Sequence, residues 1–123
     1  MKIEKLSNFS KIYNQYDVFL IDLWGVMHNG IRLNPGAIKT VENLSNNNKK
    51  IIFLSNAPRP AKHAVGFLKQ LKMEEKFLKN VLTSGESAMN SLKKNKFGTK
   101  FYHLGPQRDD SLFFEIRENK TTL

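Results

Sequence analysis

The chain of 123 residues contains no cysteine, so disulfides and thiolate metal sites are excluded. A cysteine-free chain suits a reducing cytoplasm. Long apolar runs are missing as well: none reaches the roughly 18 residues that a membrane-spanning helix needs. The N-terminal segment also lacks the apolar stretch of a secretory signal. We therefore expect a cytoplasmic protein that does not cross a membrane.

Acidic residues are scarce, with 11 Asp and Glu against 20 Lys and Arg, which gives a net charge of +9. A basic surface is the electrostatic footprint of nucleic-acid binding. The lysines, however, are scattered along the whole chain, and no aromatic residues interleave with them in a stacking pattern. A nucleic-acid-binding role is therefore the least favoured interpretation of this composition.

Glycine-rich phosphate loops of the Walker or dinucleotide type are absent too. What the sequence does have is an alternation of short apolar runs with amphipathic segments. We predict helices from Ile3 to Tyr16, after Asn34-Pro35, over Ala61–Leu71, over Glu74–Lys79, from Thr83 to about Asn95, and after Asp109 or Asp110. We predict strands ending at Asp22, over Lys50–Leu54, over Val81–Thr83 and over Lys100–Leu104. This alternation indicates an α/β fold with a mostly parallel sheet.

The stretch DVFLIDLWGVMHNG, residues 17–30, is the first of these strands with its following loop. Its continuous apolar run predicts a strand buried on both faces. Asp22 is the one carboxylate at the end of that run. Ligands of open parallel sheets bind just beyond the carboxyl ends of the strands, so Asp22 has the usual position for chemistry. The alternative is an Asp that only caps a turn before Gly25.

Ser55 and Asn56 directly follow the second predicted strand. If the first two strands are neighbours, both end at the same edge of the sheet, and these residues can face Asp22. A carboxylate nucleophile with a hydroxyl and backbone N–H groups beside it could attack a phosphoryl group and hold its oxygens. The alternative is a turn that breaks the strand before the prolines that follow.

These residues, in this order, resemble motifs of the haloacid dehalogenase superfamily. Asp22-Leu-Trp-Gly25-Val, then Gly30, then Ser55-Asn56 resemble its motifs I and II. Thr83-Ser84-Gly85-Glu86, which also has the spacing of a helix capping box, and Tyr102-His-Leu-Gly-Pro106 resemble its class IIA phosphatase-like branch. The resemblance implies the N-terminal part of a Rossmann-like core over residues 1–83. Residues 84–123 would be a linker helix and the beginning of an α/β cap.

The resemblance also implies roles for single residues. Asp22 would be the nucleophile that forms an aspartyl-phosphate, and Ser55 would hold the transferring phosphoryl group, with Asn56 and Gly25 completing the phosphate-binding set. Mg²⁺ would bridge the Asp22 carboxylate, the backbone carbonyl of Trp24 and an acid from a later motif. The substrate of the complete form would be a small phosphorylated metabolite.

Trp24 departs from the family pattern, which usually has a second Asp two residues after the nucleophile. That Asp protonates the leaving group and then activates water, whereas an indole N–H can only donate a hydrogen bond. The type of reaction is therefore left open. His28 is close enough in sequence to act as a substitute acid or base, although we favour a histidine on the surface of the loop.

The family's third motif, a Lys or Arg, and its acidic fourth motif have no counterpart in the sequence. We therefore expect a Mg²⁺ site that is incomplete and weak, and a chain that is inactive by itself. The first strand would present an open edge, able to pair with a separately made second half or with another copy. The main alternative is a non-catalytic remnant or interaction module.

Overall fold

The structure, a computed structural model, describes residues 5–122 apart from the side chains of Arg108 and Ser111. Within these residues lie strands β1 (Val18–Asp22), β2 (Lys50–Ser55) and β3 (Val81–Thr83), and helices α1 (Pro35–Asn46), α2 (Ala61–Gln70) and α3 (Ser84–Lys93). The strands form one parallel sheet in the order β1-β2-β3, which confirms the predicted α/β class. None of the described helices is both long and apolar enough to cross a bilayer.

The chain divides into two compact units after Phe53. The first unit contains β1, α1 and most of β2, and its buried apolar residues are Phe19, Leu23, Met27, Val41, Leu44, Ile51 and Phe53. The second contains α2, β3 and α3, and its buried apolar residues are Leu68, Met73, Phe77, Leu78, Val81, Met89 and Ile116. The predicted division into a core part, residues 1–83, and a cap part, residues 84–123, stays a prediction.

The prediction that β1 is buried on both faces is wrong. Phe19 is buried, but its neighbours Val18 and Leu20 are 48% and 63% exposed. The physical reason is that side chains alternate between the two faces of a strand, and among the described residues only the face of Phe19 is covered. The rings of Phe9 and Tyr16 cover that face and meet the Phe19 ring edge-on, with centroids 5.5 Å and 6.4 Å away.

The predicted N-terminal helix is also wrong where the structure describes it. Two short 3-10 turns, Phe9–Lys11 and Tyr13–Gln15, replace it, and the first part of the predicted helix, residues 3 and 4, lies outside the described residues. The side chain of Asn8 accepts a hydrogen bond from the Ser10 N–H, a local bond that competes with helix formation. The aromatic stripe still packs against β1, as expected of a core-facing segment.

Helix α1 begins where its sequence predicts. Asn34 is the N-cap, and its side-chain oxygen accepts hydrogen bonds from the N–H groups of Gly36 and Ala37 at 3.0 Å and 3.4 Å. Pro35 takes the first helical position, where its missing N–H costs nothing. The helix ends in the asparagine run, where Asn48 adopts a left-handed backbone with φ 56°.

The C-terminal elements differ most from the prediction. The expected strand over Lys100–Leu104 is wrong: Phe101 makes a single bridge to Lys120. The expected final helix, after Asp109 or Asp110, is formed by 3-10 turns over Gln107–Asn119 that are interrupted at Ile116. The predicted helix over Glu74–Lys79 is likewise a 3-10 helix, Glu75–Asn80. A strand needs a partner along its length, and the segment around Phe101 finds one at a single residue.

Candidate active site

Asp22 is the last residue of β1, and its side chain is exposed. One carboxylate oxygen, Oδ1, accepts a hydrogen bond from the Leu23 N–H at 2.8 Å. Leu23 itself is buried, so the peptide group that donates this bond is fixed by packing. The result is a solvent-facing carboxylate whose orientation is set by the backbone, an arrangement suited to a nucleophile.

The loop after Asp22 is closed by backbone hydrogen bonds. The Leu23 carbonyl accepts from the N–H groups of both Met27 and His28, at 2.9 Å and 3.2 Å, and the Met27 side chain is fully buried. Gly25 has φ +78°, a left-handed conformation that favours glycine. Its N–H donates to the His28 carbonyl at 2.8 Å, so the motif glycine serves this turn. Its predicted contact with phosphate stays a prediction.

Trp24 presents its indole to solvent, with 65% of the residue exposed. Its ring centroid lies 6.4 Å from that of His28 in a tilted arrangement. The position that carries an acid in the family pattern therefore carries an apolar ring here. That ring has no acid or base function to offer.

His28 is buried, with 7% exposure, so the expectation of a surface histidine is wrong. Its Nδ1 accepts a hydrogen bond from the Gly30 N–H at 3.1 Å, which assigns the proton of the neutral ring to Nε2. Burial lowers the pKa of His28 below 6.5, and the negative charge of Asp22 acts in the opposite direction. The sequence could not show this burial, because it depends on the path of the loop, in which His28 pairs with Trp24 and with Leu33.

Ser55 is the last residue of β2, and Asn56 follows it. The Ser55 hydroxyl oxygen accepts a hydrogen bond from the Ala57 N–H at 3.2 Å. This bond uses only the oxygen of the hydroxyl, so its hydrogen remains able to donate to an anionic oxygen. A second hydroxyl reaches this loop from the start of α3: Ser84 Oγ lies 2.9 Å from the Asn56 carbonyl oxygen, a contact that sequence reasoning missed.

The predicted site residues fall into two groups in the structure. Asp22, Trp24 and Gly25 share the loop after β1, in the first unit. Ser55 and Asn56 share the loop after β2, in the second unit. Each group lies at the carboxyl end of its strand, as predicted. The proximity of Ser55 to Asp22 stays a prediction.

The donor set offers only part of a Mg²⁺ site. The residues that the structure describes contain no group of three or more His, Asp or Glu side chains that could hold a metal ion. Mg²⁺ prefers octahedral oxygen coordination and often takes one or two carboxylates with several waters. Asp22 and the Trp24 carbonyl are oxygen donors of the right kind, but they do not make a complete site.

The buried His28 predicts a pH-dependent stability. Its pKa in the folded chain is lowered, so its contribution to the free energy of unfolding is complete above about pH 6.5 and is lost as the pH falls below it. We expect the urea midpoint of the wild type to fall more between pH 8 and pH 5.5 than that of His28→Gln. Gln can accept from the Gly30 N–H but does not titrate. The exposed His63→Gln is the control and should follow the wild type, whereas equal pH dependence of all three chains would contradict the prediction.

Comparison with solved structures shows the fold. A hydrolase of the haloacid dehalogenase-like family from Brucella suis has a similar structure, with a TM-score of 0.74 and 24% identity over 89% of this chain. A possible sugar phosphatase from Cytophaga hutchinsonii has a TM-score of 0.69 and 17% identity over 88% of this chain. A 4-nitrophenylphosphatase from Thermotoga maritima has a TM-score of 0.66 and 24% identity over 86% of this chain. The present chain spans 40%, 39% and 41% of these three chains, respectively. No curated protein matches it.

The family assignment comes from the sequence. The model of the haloacid dehalogenase-like hydrolases matches residues 19–116. This range begins in β1, includes Asp22 and Ser55, and extends through α3 to Ile116. Because the match covers most of the 123 residues, the chain belongs to the haloacid dehalogenase-like hydrolase family.

Proposed function

We propose that this chain carries the nucleophile and the phosphate-binding loop of a class IIA phosphatase-like hydrolase that acts on a small phosphorylated metabolite in the cytoplasm. The observation that carries the proposal is Asp22, an exposed carboxylate at the end of β1, oriented by the Leu23 N–H within the family match. Of the proteins of similar fold described above, one is named as a 4-nitrophenylphosphatase and another as a possible sugar phosphatase. The cap would follow the second motif, since only twelve residues lie between β1 and α1.

In the proposed reaction, a carboxylate oxygen of Asp22 attacks the phosphorus of a phosphomonoester. The bond from phosphorus to the leaving oxygen breaks, and an aspartyl-phosphate remains. Water then attacks this phosphorus, releases inorganic phosphate and regenerates the carboxylate. The Ser55 hydroxyl would donate to a phosphoryl oxygen, with a backbone N–H near Asn56 assisting.

Mg²⁺, when bound, would neutralise charge on the phosphoryl oxygens. Asp22 and the Trp24 carbonyl are the described oxygen ligands that it would take. The remaining ligands would come from segments with no counterpart among the described residues, in line with the fraction of the similar structures that the chain spans. We therefore expect slow or absent turnover by the chain alone, and single-turnover assays are the appropriate test.

Trp24 restricts the substrates on which the chain can show activity. Without an acid at this position, the leaving group must depart as an anion. Phenolates are stable anions, so an aryl phosphate can phosphorylate Asp22 without a proton donor. The second step needs an activated water, which Trp24 cannot supply. The aspartyl-phosphate should therefore persist.

Incubation with an aryl phosphate and Mg²⁺ tests the role of Asp22. We expect intact-mass spectrometry to detect one added phosphoryl group, mapped to Asp22 by peptide analysis. Asp22→Asn keeps an oxygen for the Leu23 N–H but removes the nucleophile, and should abolish labelling at position 22. Asp17→Asn, an exposed Asp just before β1, is the matched control and should label like the wild type. No adduct on the wild type, or equal labelling of Asp22→Asn, would overturn the proposal.

Replacement of Trp24 by Asp should restore the missing acid–base group. We expect the aspartyl-phosphate of Trp24→Asp to decay on the order of 10²-fold faster than that of the wild type, because a carboxylate can activate water. Trp24→Phe removes the indole N–H without adding a base, and its adduct should decay like the wild type. The decay is followed by intact mass after removal of the aryl phosphate. Equal decay in all three chains would show that position 24 has no part in dephosphorylation.

The edge of β1 gives the chain a surface for association. Val18 and Leu20 expose apolar side chains on a strand that has β2 as its one neighbour within the described sheet. Unpaired apolar edges of this kind pair with strands of other chains. We propose that this edge receives a further strand of the complete fold, and that in the isolated chain it pairs with a second copy.

Sedimentation equilibrium tests this association. We expect the wild type to associate reversibly, and Leu20→Lys to weaken association at least about 10-fold, because a charge on an edge strand opposes pairing. Leu104→Lys, at a leucine that is 91% exposed in the second unit, is the matched control and should leave association unchanged. A wild type that stays monomeric at high concentration would contradict the proposal.

A further inference from the structure

We infer that the Thr83-Ser84-Gly85-Glu86 turn is a positioning device for the loop after β2, and that Ser84 sets the orientation of the Ser55 hydroxyl. The inference rests on the proposed phosphate-binding role of Ser55 and deepens it. All of the residues concerned belong to the second unit of the chain. To begin helix α3, this turn needs only its N-cap hydrogen bond, but it makes further hydrogen bonds to the loop after β2 and to the start of α2.

The contact that a helix start needs is the N-cap. Thr83 Oγ1 accepts a hydrogen bond from the Glu86 N–H at 3.1 Å, as the capping-box spacing predicts. In a complete capping box the Glu86 side chain would bond back to the Thr83 N–H. Here its Oε2 instead accepts from the N–H of Ala61, the first residue of α2, at 3.1 Å. Glu86 therefore caps the helix that follows the phosphate-binding loop.

Thr83 also reaches the same loop. Its hydroxyl donates to the Arg59 carbonyl oxygen at 2.5 Å while accepting from Glu86. Thr83 is buried, so this bond is sheltered from competing water. The two ends of the turn thus bind the loop at Arg59 and at the beginning of α2.

Gly85 brings the two backbones into direct contact. Its N–H donates to the Ala57 carbonyl oxygen at 3.1 Å. A Cβ at this position would lie 2.6 Å from the carbonyl carbon of Pro58 and 2.7 Å from that of Arg59, closer than real Cβ atoms approach backbone. Any other residue would push the loop away, so glycine is required here by close approach and not by its φ angle.

Ser84 connects this turn to the candidate phosphate site. Its Oγ lies 2.9 Å from the Asn56 carbonyl oxygen and 3.0 Å from that of Ala57, so it donates its one hydrogen to these acceptors. The Asn56 carbonyl and the Ala57 N–H belong to the same peptide group. That N–H donates to the Ser55 oxygen at 3.2 Å. One peptide group is therefore held by Ser84 on one side and by Ser55 on the other.

This arrangement explains how Ser84 acts through a peptide on Ser55. Rotation of the Asn56–Ala57 peptide would break its bond to Ser55 and release the hydroxyl to other rotamers. The Ser84 bond opposes that rotation, so the Ser55 hydrogen stays directed away from its own loop and available to an anion. Ser84 is a positioning residue, since nothing in its own contacts requires it to touch the phosphoryl group.

The test is a phosphate titration of the full chain, labelled with ¹⁵N and followed by the amide signals of Asn56 and Ala57 in the presence of Mg²⁺. We expect Ser84→Ala to weaken the affinity for inorganic phosphate about 3- to 10-fold, the effect of one hydrogen bond. Ser84→Thr keeps a hydroxyl and should restore the affinity. Ser87→Ala, at an exposed serine of the same helix, is the matched control and should bind like the wild type.

A purely structural role would lower the unfolding midpoint without changing the affinity, so the midpoints of all variants are measured in parallel. Unchanged affinity in Ser84→Ala, or equal losses in Ser84→Ala and Ser84→Thr, would overturn the inference.

Hydrogen exchange of the Ala57 amide in the phosphate-free chain provides a second readout. Faster exchange in Ser84→Ala, but not in Ser87→Ala, supports the positioning role, and unchanged exchange overturns it.

The two readouts separate this inference from the proposed function. If the wild type shows no amide shifts at Asn56 and Ala57 on addition of phosphate, the phosphate-binding role of Ser55 fails. The exchange of the Ala57 amide still decides whether Ser84 holds the peptide. Loss of phosphate binding together with unchanged exchange would show that Ser84 contacts the anion directly, which also contradicts a positioning role.

Discussion

Parallel pairing of strands requires the chain to return to the start of the sheet after every strand, and in this chain α1 and α2 lie on those return paths. β1 and β2 therefore end in loops that lead to α1 and α2, whereas α3 begins directly after the last residue of β3. The polar residues Asp22, Ser55 and Thr83 are the last residues of β1, β2 and β3. The topology thus places these polar side chains at the carboxyl ends of the strands, and the residues that follow determine which of their atoms are hydrogen-bonded.

The two loops present their groups in different ways. After β1, the backbone closes on the Leu23 carbonyl, and the buried Met27 anchors the turn. After β2, the loop makes few bonds to itself and is held by side chains and N–H groups of the next strand–helix junction. The loop after β1 is thus locally determined, whereas the loop after β2 depends on residues nearly thirty positions later in the chain.

The accuracy of sequence reasoning follows the same distinction. Asn34-Pro35 and Thr83 were correctly predicted as helix starts because a cap needs only its own side chain and the next three residues. The strand at Phe101 was wrong because a strand is stabilised by a partner that composition does not identify. The burial of His28 and the contacts of Glu86 and Ser84 were missed for the same reason, since each depends on a segment distant in sequence or on the path of a loop. Family resemblance identified the Thr83–Glu86 motif, and only the structure shows what it touches.

The loop after β2 is held almost wholly through its main-chain atoms, since Ser84, Gly85 and Thr83 bind the carbonyl oxygens of Asn56, Ala57 and Arg59. Carbonyl oxygens are the same whatever side chain a residue bears. The side chains of residues 56–59 can therefore change during evolution while the path of the loop is retained. Gly85 cannot be replaced in the same way, because no side chain fits at its position. The side chains around this loop can therefore vary without a change in the path of its backbone.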